Sequence, residues 1–280
     1  VRLFLWRNNQ EEKKMRFGDK SFGIARIDQL RAGLAKRNGY EGDLVKLADL
    51  LPDKFFYEKF DANPVVIQTT GEVADGTAAD VQAMHCSRNL FELVYLGAGQ
   101  TILAPSIAAA GLDVSLDGAD NDGIELTMGI TSRSKAAFTI GTDPAFYAKL
   151  KFTIADVSDT DDCAFGFRKA EAYQANIDDY DEMAVLNVIS GDINIETILN
   201  AGATTTTDTT DDWADTGQHT LEVYVSEAGV VTYKIDGDPP TTTSAFTFDD
   251  GEVVVPFFYF LHAAASSAGI VLDEFECGLQ

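Results

Sequence analysis

The side chains able to do chemistry in this 280-residue chain are mostly carboxylates. Asp117, Asp120, Asn121 and Asp122 crowd together just before Gly123, and Asp156, Asp159, Asp161 and Asp162 form a second cluster. Hard oxygen ligands gathered in a loop are what calcium requires, so Asp117, Asp120 and Asp122 are the candidate metal ligands. Neither spacing is that of an EF-hand loop. Solvated acidic turns are the competing reading in a chain of net charge −24. No other cofactor is implied. There is no Gly-rich phosphate loop, and Cys86, Cys163 and Cys277 form no CxxC pair that would suggest a thiolate zinc site. They read as buried free thiols of a chain folded in a reducing compartment.

Glycoside hydrolysis needs two carboxylates about 5–9.5 Å apart. Asp273-Glu274-Phe275-Glu276 has no Asp between its two Glu residues, and Asp178-Asp179-Tyr180-Asp181-Glu182 reads as an acidic loop. His85 adjoins Cys86, but neighbours on a strand point to opposite faces, so adjacency does not make a dyad. No Gly-x-Ser-x-Gly elbow is present. His219 and His262 fall on predicted strands, where a satisfied histidine is the expectation. The reading is therefore of a protein that is not an enzyme. Glycan binding would instead use aromatic rings at loops. Trp213, Tyr173 and Tyr180 sit in or beside predicted loops and are the candidates, although such rings serve as core anchors as readily.

Charge is divided unevenly along the chain. Residues 1–60 hold 13 of the 21 Lys and Arg and nine acids, a balance of +4, whereas residues 61–280 carry −28. Such a body repels nucleic acid and anionic membranes. The longest apolar run, Val253 to Leu261, is strand-sized and far short of the roughly 20 residues that span a bilayer. The division suggests a docking arm on an acidic body.

The elements follow from periodicity. Ile24, Ile27, Leu30 and Leu34 share one helix face, and Asn38-Gly39 stops that helix. A second short helix runs from Asp43 through Leu44, Leu47 and Leu50 to Pro52. Residues 1–60 thus form a helical or irregular arm, and residues 61–89, with a strand at Val65 to Thr69, connect it to the body. From residue 90 onward strands dominate: Phe146 to Ile154, Cys163 to Phe167, Met183 to Ile189, and the hairpin of His219 to Val225 with Val230 to Ile235 around Glu227-Ala228-Gly229. Thr204 to Asp215 reads as a polar loop. Val253 to Leu261 reads as a central strand. About a dozen strands without intervening helices predict an antiparallel sandwich over residues 90–280.

Trp213, then Gly217-Gln-His-Thr-Leu-Glu-Val-Tyr-Val and Gly229-Val-Val-Thr-Tyr-Lys-Ile-Asp-Gly, resemble the back-sheet hairpin of concanavalin A-like and laminin G-like jelly rolls. The fold class implied is mainly β, a concanavalin A-like jelly-roll sandwich. The chain is also similar to virion structural proteins of marine tailed phages, through Gly111-Leu-Asp-Val-Ser-Leu-Asp-Gly-Ala-Asp-Asn-Asp-Gly-Ile-Glu-Leu and the Thr/Asp-rich stretches 156–162 and 204–215. This resemblance implies a capsid decoration protein, located in the virion after assembly in the host cytoplasm. Its expected partners are other virion proteins, foremost a major capsid protein, and further copies of itself, but neither nucleic acid nor membrane. Arg2, Leu3, Phe4, Leu5, Trp6, Arg7, Lys13, Lys14 and Arg16 would dock on that partner. The alternative function is a lectin-like module of a phage fibre or secreted protein.

Overall fold

A strand buried on one face alternates apolar and polar side chains, and β9 (Phe146–Ile154) does so without a break: Phe146, Ala148, Leu150, Phe152 and Ile154 are buried, while the residues between them reach solvent. A computed structural model of the chain describes residues 54–67, 81–97, 105–108, 111–114, 120–128, 136–263 and 269–280. Within them two antiparallel sheets pack face to face. The smaller is ordered β15 (Val231–Ile235), β14 (Gln218–Val225), β9, β17 (Ile270–Leu279), β6 (Gly111–Asp113), β5 (Ser106–Ala108), with β1 (Phe55–Lys59) also paired to β17. The larger is ordered β13 (Thr205–Asp212), β12 (Asp192–Ile198), β11 (Met183–Ile189), β10 (Thr160–Lys169), β16 (Val253–His262), β7 (Gly123–Thr127), β4 (Leu90–Leu96), β3 (Val81–His85), β2 (Val65–Ile67), with β8 (Phe138–Thr139) also on β16. The chain passes repeatedly from one sheet to the other, as in the jelly-roll sandwich that the concanavalin A-like resemblance implies.

The inner faces meet in one core that includes Phe138, Phe146, Phe152, Phe165, Phe258 and Phe275. Phe138 and Phe146 stack at 4.4 Å, and Phe167 meets both edge-on. Strand β16 is central, paired with β10 and β7, and both its faces are covered: Val254, Phe258 and Phe260 point into the core and Phe257, Tyr259 and Leu261 into a second apolar cluster, which is why its sequence is almost continuously apolar. The outer face of the smaller sheet carries cross-strand pairs of opposite charge. Lys149 meets Glu222 at 3.0 Å and Lys151 meets Asp273 at 2.9 Å.

Three expectations are corrected. Phe55–Lys59 is a strand of the sandwich rather than part of a helical or irregular arm, running antiparallel to β17 with Tyr57 opposite Glu276. Strands β2 and β3, placed in a connecting segment by the sequence, extend the larger sheet through β4. Residues 204–215 are mostly a strand, because β-branched Thr suits a pleated edge and β13 pairs with β12. The docking candidates Arg2 to Arg16 and the helices of residues 24–50 lie outside the described residues.

Phe60 tests whether this leading strand belongs to the sandwich. It is buried against Phe91, with ring centroids 5.8 Å apart. Phe60→Ala should cost about 3–5 kcal/mol in urea unfolding, the cost of a core Phe truncation. A loss within about 0.5 kcal/mol, as for a surface change, would return the segment to an arm.

Candidate functional site

The outer face of the larger sheet is not a uniform surface. Val94 and Leu96 of β4, Ala164 of β10, Val185 of β11 and Phe257, Tyr259 and Leu261 of β16 form a second apolar cluster on it. Residues 170–182 cross this face and cover it with Tyr173, Ile177 and Tyr180. A short 3-10 turn at Ile177–Asp179, capped by the Asn176 side chain, shapes that crossing. The segment is fastened by a buried ion pair. Arg168 donates from Nε and Nη2 to Glu125 Oε1 at 2.9 and 2.7 Å, and both side chains are fully buried. The Tyr180 hydroxyl donates to the other Glu125 oxygen. The guanidinium lies 4.6 Å from the Tyr180 ring centroid, and its Nη1 donates to the Lys169 carbonyl at 2.9 Å. Every polar group of this triad is occupied within the protein, so it serves as a fastening and offers nothing to a ligand.

Beside the sealed area the same face becomes polar. Asn187 of β11 lies between β10 and β12, and its Nδ2 donates to Asp162 Oδ1 at 2.7 Å and to Glu196 Oε2 at 2.8 Å. Its Oδ1 accepts from the Cys163 backbone at 2.9 Å, so the amide cannot rotate away. Thr206 of the edge strand donates to Glu196 Oε1 at 3.0 Å. Asp178, on the covering 3-10 turn, accepts from Thr204 at 2.6 Å. Glu196 is buried, Asp162 is half-buried, and Thr206 and Asp178 are exposed. Two carboxylates thus share one buried amide group, and of the two Asp162 is the one that reaches solvent. Burial pushes the Asp162 carboxyl up to about 7; Asn187 counters this in part, while Glu196, Asp161 and Asp178 add to it. Burial also raises Glu196, against the hydrogen bonds from Asn187 and Thr206. Half-buried Asp162 can accept hydrogen bonds from a ligand, and donate one when it holds its proton, with Asp178, Thr204 and Thr206 at the surface beside it.

The sequence-derived aromatic candidates are corrected here. Trp213 is 2% exposed, its ring lies 4.6 Å from Phe152, and its Nε1 donates to the Gly217 carbonyl at 3.1 Å. Tyr173 and Tyr180 are 3% and 0% exposed under the crossing segment. Their loops fold back onto the sandwich, so position in a loop did not mean exposure. Of the calcium candidates, Asp117 lies outside the described residues. Asp120 is exposed and Asp122 is buried, its carbonyl accepting from the His262 amide. The second acidic cluster is dispersed: Asp156 caps a 3-10 turn, Asp159 pairs with His262 at 3.0 Å, and Asp162 turns to Asn187. Among the described residues no group of three or more His, Cys, Asp or Glu is placed to hold a metal ion. Asn187 and Glu196 were not singled out from the sequence. The available signal was a polar Asn inside the otherwise apolar Met183–Ile189, and the alternation of Ile193 and Ile195 with Asn194 and Glu196.

No protein-family model matches the sequence, and no curated protein matches it. Solved structures resemble it in overall arrangement. The carbohydrate recognition domain of Emp47p aligns at a TM-score of 0.46 with 12% identity, over 69% of this chain and 91% of that one. The CBM2 module of the evolved Dit of Lactobacillus casei BL23 phage J-1 aligns at 0.44 with 10% identity, over 80% and 95%. A β-glucanase of Bacillus licheniformis aligns at 0.41 with 11% identity, over 81% and 98%. Likeness at this level concerns the arrangement of strands and says nothing of ligand or reaction.

Two outcomes follow from the geometry. Arg168→Leu strands the Glu125 charge in the interior and should cost about 3–5 kcal/mol, whereas adding Glu125→Leu should recover part of that loss; urea unfolding of the single and double variants compares them. The second concerns pH. A carboxyl whose folded value is raised binds its proton more tightly in the native state, so stability falls as pH climbs from the ordinary carboxylate range to about 7. Asp162→Asn should flatten that slope and raise the melting temperature at pH 8 by about 2–4 °C, the shift that 1 kcal/mol gives a domain of this size.

Proposed function

We propose that this chain is a glycan-binding module whose contact surface is Asp162 with Asp178, Thr204 and Thr206 beside it, held in place from beneath by buried Asn187 and Glu196. The observation that supports this is the clamped, buried Asn187 amide, which braces the half-buried Asp162 carboxylate against buried Glu196 and fixes its orientation at the edge of solvent. A sugar hydroxyl both donates and accepts, and a protonatable acid held in one orientation beside surface hydroxyls meets it without reordering its own side chain. Asp178, Thr204 and Thr206 extend this surface toward the Thr-rich edge strand. The capsid-decoration expectation turns on the leading residues outside the described ones, and no feature of the sandwich favours it over display of a sugar-binding face.

A panel of immobilised neutral and acidic oligosaccharides tests the reading. The protein should be retained by at least one class, and Asp162→Ala should weaken retention about tenfold or more, equivalent to about 1.4 kcal/mol. Because the raised Asp162 carboxyl disfavours the fold at neutral pH, that variant should lose binding without losing thermal stability. Retention by no member of the panel would overturn the reading. A hydrolytic use of the same site is the second reading, favoured by the proximity of two carboxylates. Release of new reducing ends from a bound oligosaccharide, abolished in Glu196→Gln, would select it.

A further inference from the structure

We infer that the β2 edge of the larger sheet, unpaired among the described residues, is where a second copy of this chain pairs, joining two sandwiches through a continuous sheet. Among the described residues β2 ends the strand order, with β3 on one side and no strand on the other. Its outward side chains are apolar and exposed, Val65 at 62% and Ile67 at 47%, and Leu90 on β4 is 49% exposed. The register places Val65, His85 and Leu90 in one row across three strands. Val66 packs against the core, so Val65 and Ile67 share the outer face. Natural sheets avoid an apolar strand with an open hydrogen-bonding edge, because it recruits another strand.

Three features identify the occupant as a copy of this chain. An open edge takes an extended strand, and this one takes a strand with apolar side chains at alternate positions on one face. β2 itself has that pattern. Paired antiparallel about a two-fold axis centred on Val66, each Val65 would lie opposite the Ile67 of the other copy, so a single patch satisfies itself. Charge agrees. Copies of net charge −24 repel each other over most of their surfaces, and the Val65–His85–Leu90 row contains no acid.

Sedimentation velocity of the full chain measures this directly. The expected species is a dimer of twice 30.3 kDa, in a fraction that rises as NaCl goes from about 50 to about 500 mM and screens the mutual repulsion. Val65→Lys with Ile67→Lys should return a monomer with an unchanged far-ultraviolet spectrum and melting curve. Leu199→Lys with Val230→Lys, which alters the two large exposed apolar side chains elsewhere among the described residues, should leave the dimer intact. A monomeric wild type at every salt concentration, an assembly larger than a dimer, or a dimer that survives the β2 substitutions would each overturn the inference.

Discussion

The Arg168–Glu125 pair decides what the outer face of the larger sheet can do. A guanidinium and a carboxylate without solvent are tolerated only when each finds partners for all its polar atoms. Glu125 and the Tyr180 hydroxyl, with the Lys169 carbonyl, meet that demand. Tyr180 lies in the segment that crosses the sheet, so satisfying the pair also holds residues 170–182 down over Val94, Val185 and Phe257. That part of the face is thereby removed from service. What reaches solvent beside it is Asp162 on β10, braced by buried Asn187 and Glu196, and the proposed function resides there.

The division has an electrostatic consequence. The body of the chain is strongly acidic, and carboxylates such as those of Asp178, Asp179, Asp238, Asp249 and Asp250 are exposed outside the strands, where water screens them. Asp162 and Glu196 differ because the sandwich places them side by side, Glu196 buried and Asp162 half-buried. Their shared amide keeps them from separating, so protonation is the relief that remains, and the site becomes a mixed donor and acceptor near neutral pH. A flexible acidic loop would not acquire that property, since its carboxylates would rotate into water.

Much of the architecture was legible in the sequence, and the reasons for the failures are physical. Phe146–Ile154 and Met183–Ile189 were readable to the residue because one buried face imposes strict alternation, or two buried faces impose an apolar run bounded by turns. Residues 204–215 misled because an edge strand buries little. Thr209 is the buried member, and its hydroxyl donates to the Ile193 carbonyl. Phe55–Lys59 is too short for periodicity to separate it from the helix-like pattern before it. The candidate site was the least legible part. Asp162, Asn187 and Glu196 come from three strands, and what joins them is register between strands, which local patterning does not encode. The aromatic candidates failed for the converse reason: a loop that returns to the body buries its rings.

Carbon-13 NMR of the side-chain carboxyls, titrated with and without a retained oligosaccharide, bears most directly on the division of this face into a sealed part and a working part. The account predicts that Asp162 titrates with a midpoint of about 7, and that added saccharide moves it. A midpoint near the ordinary carboxylate value of about 4, unchanged by any saccharide, would contradict it.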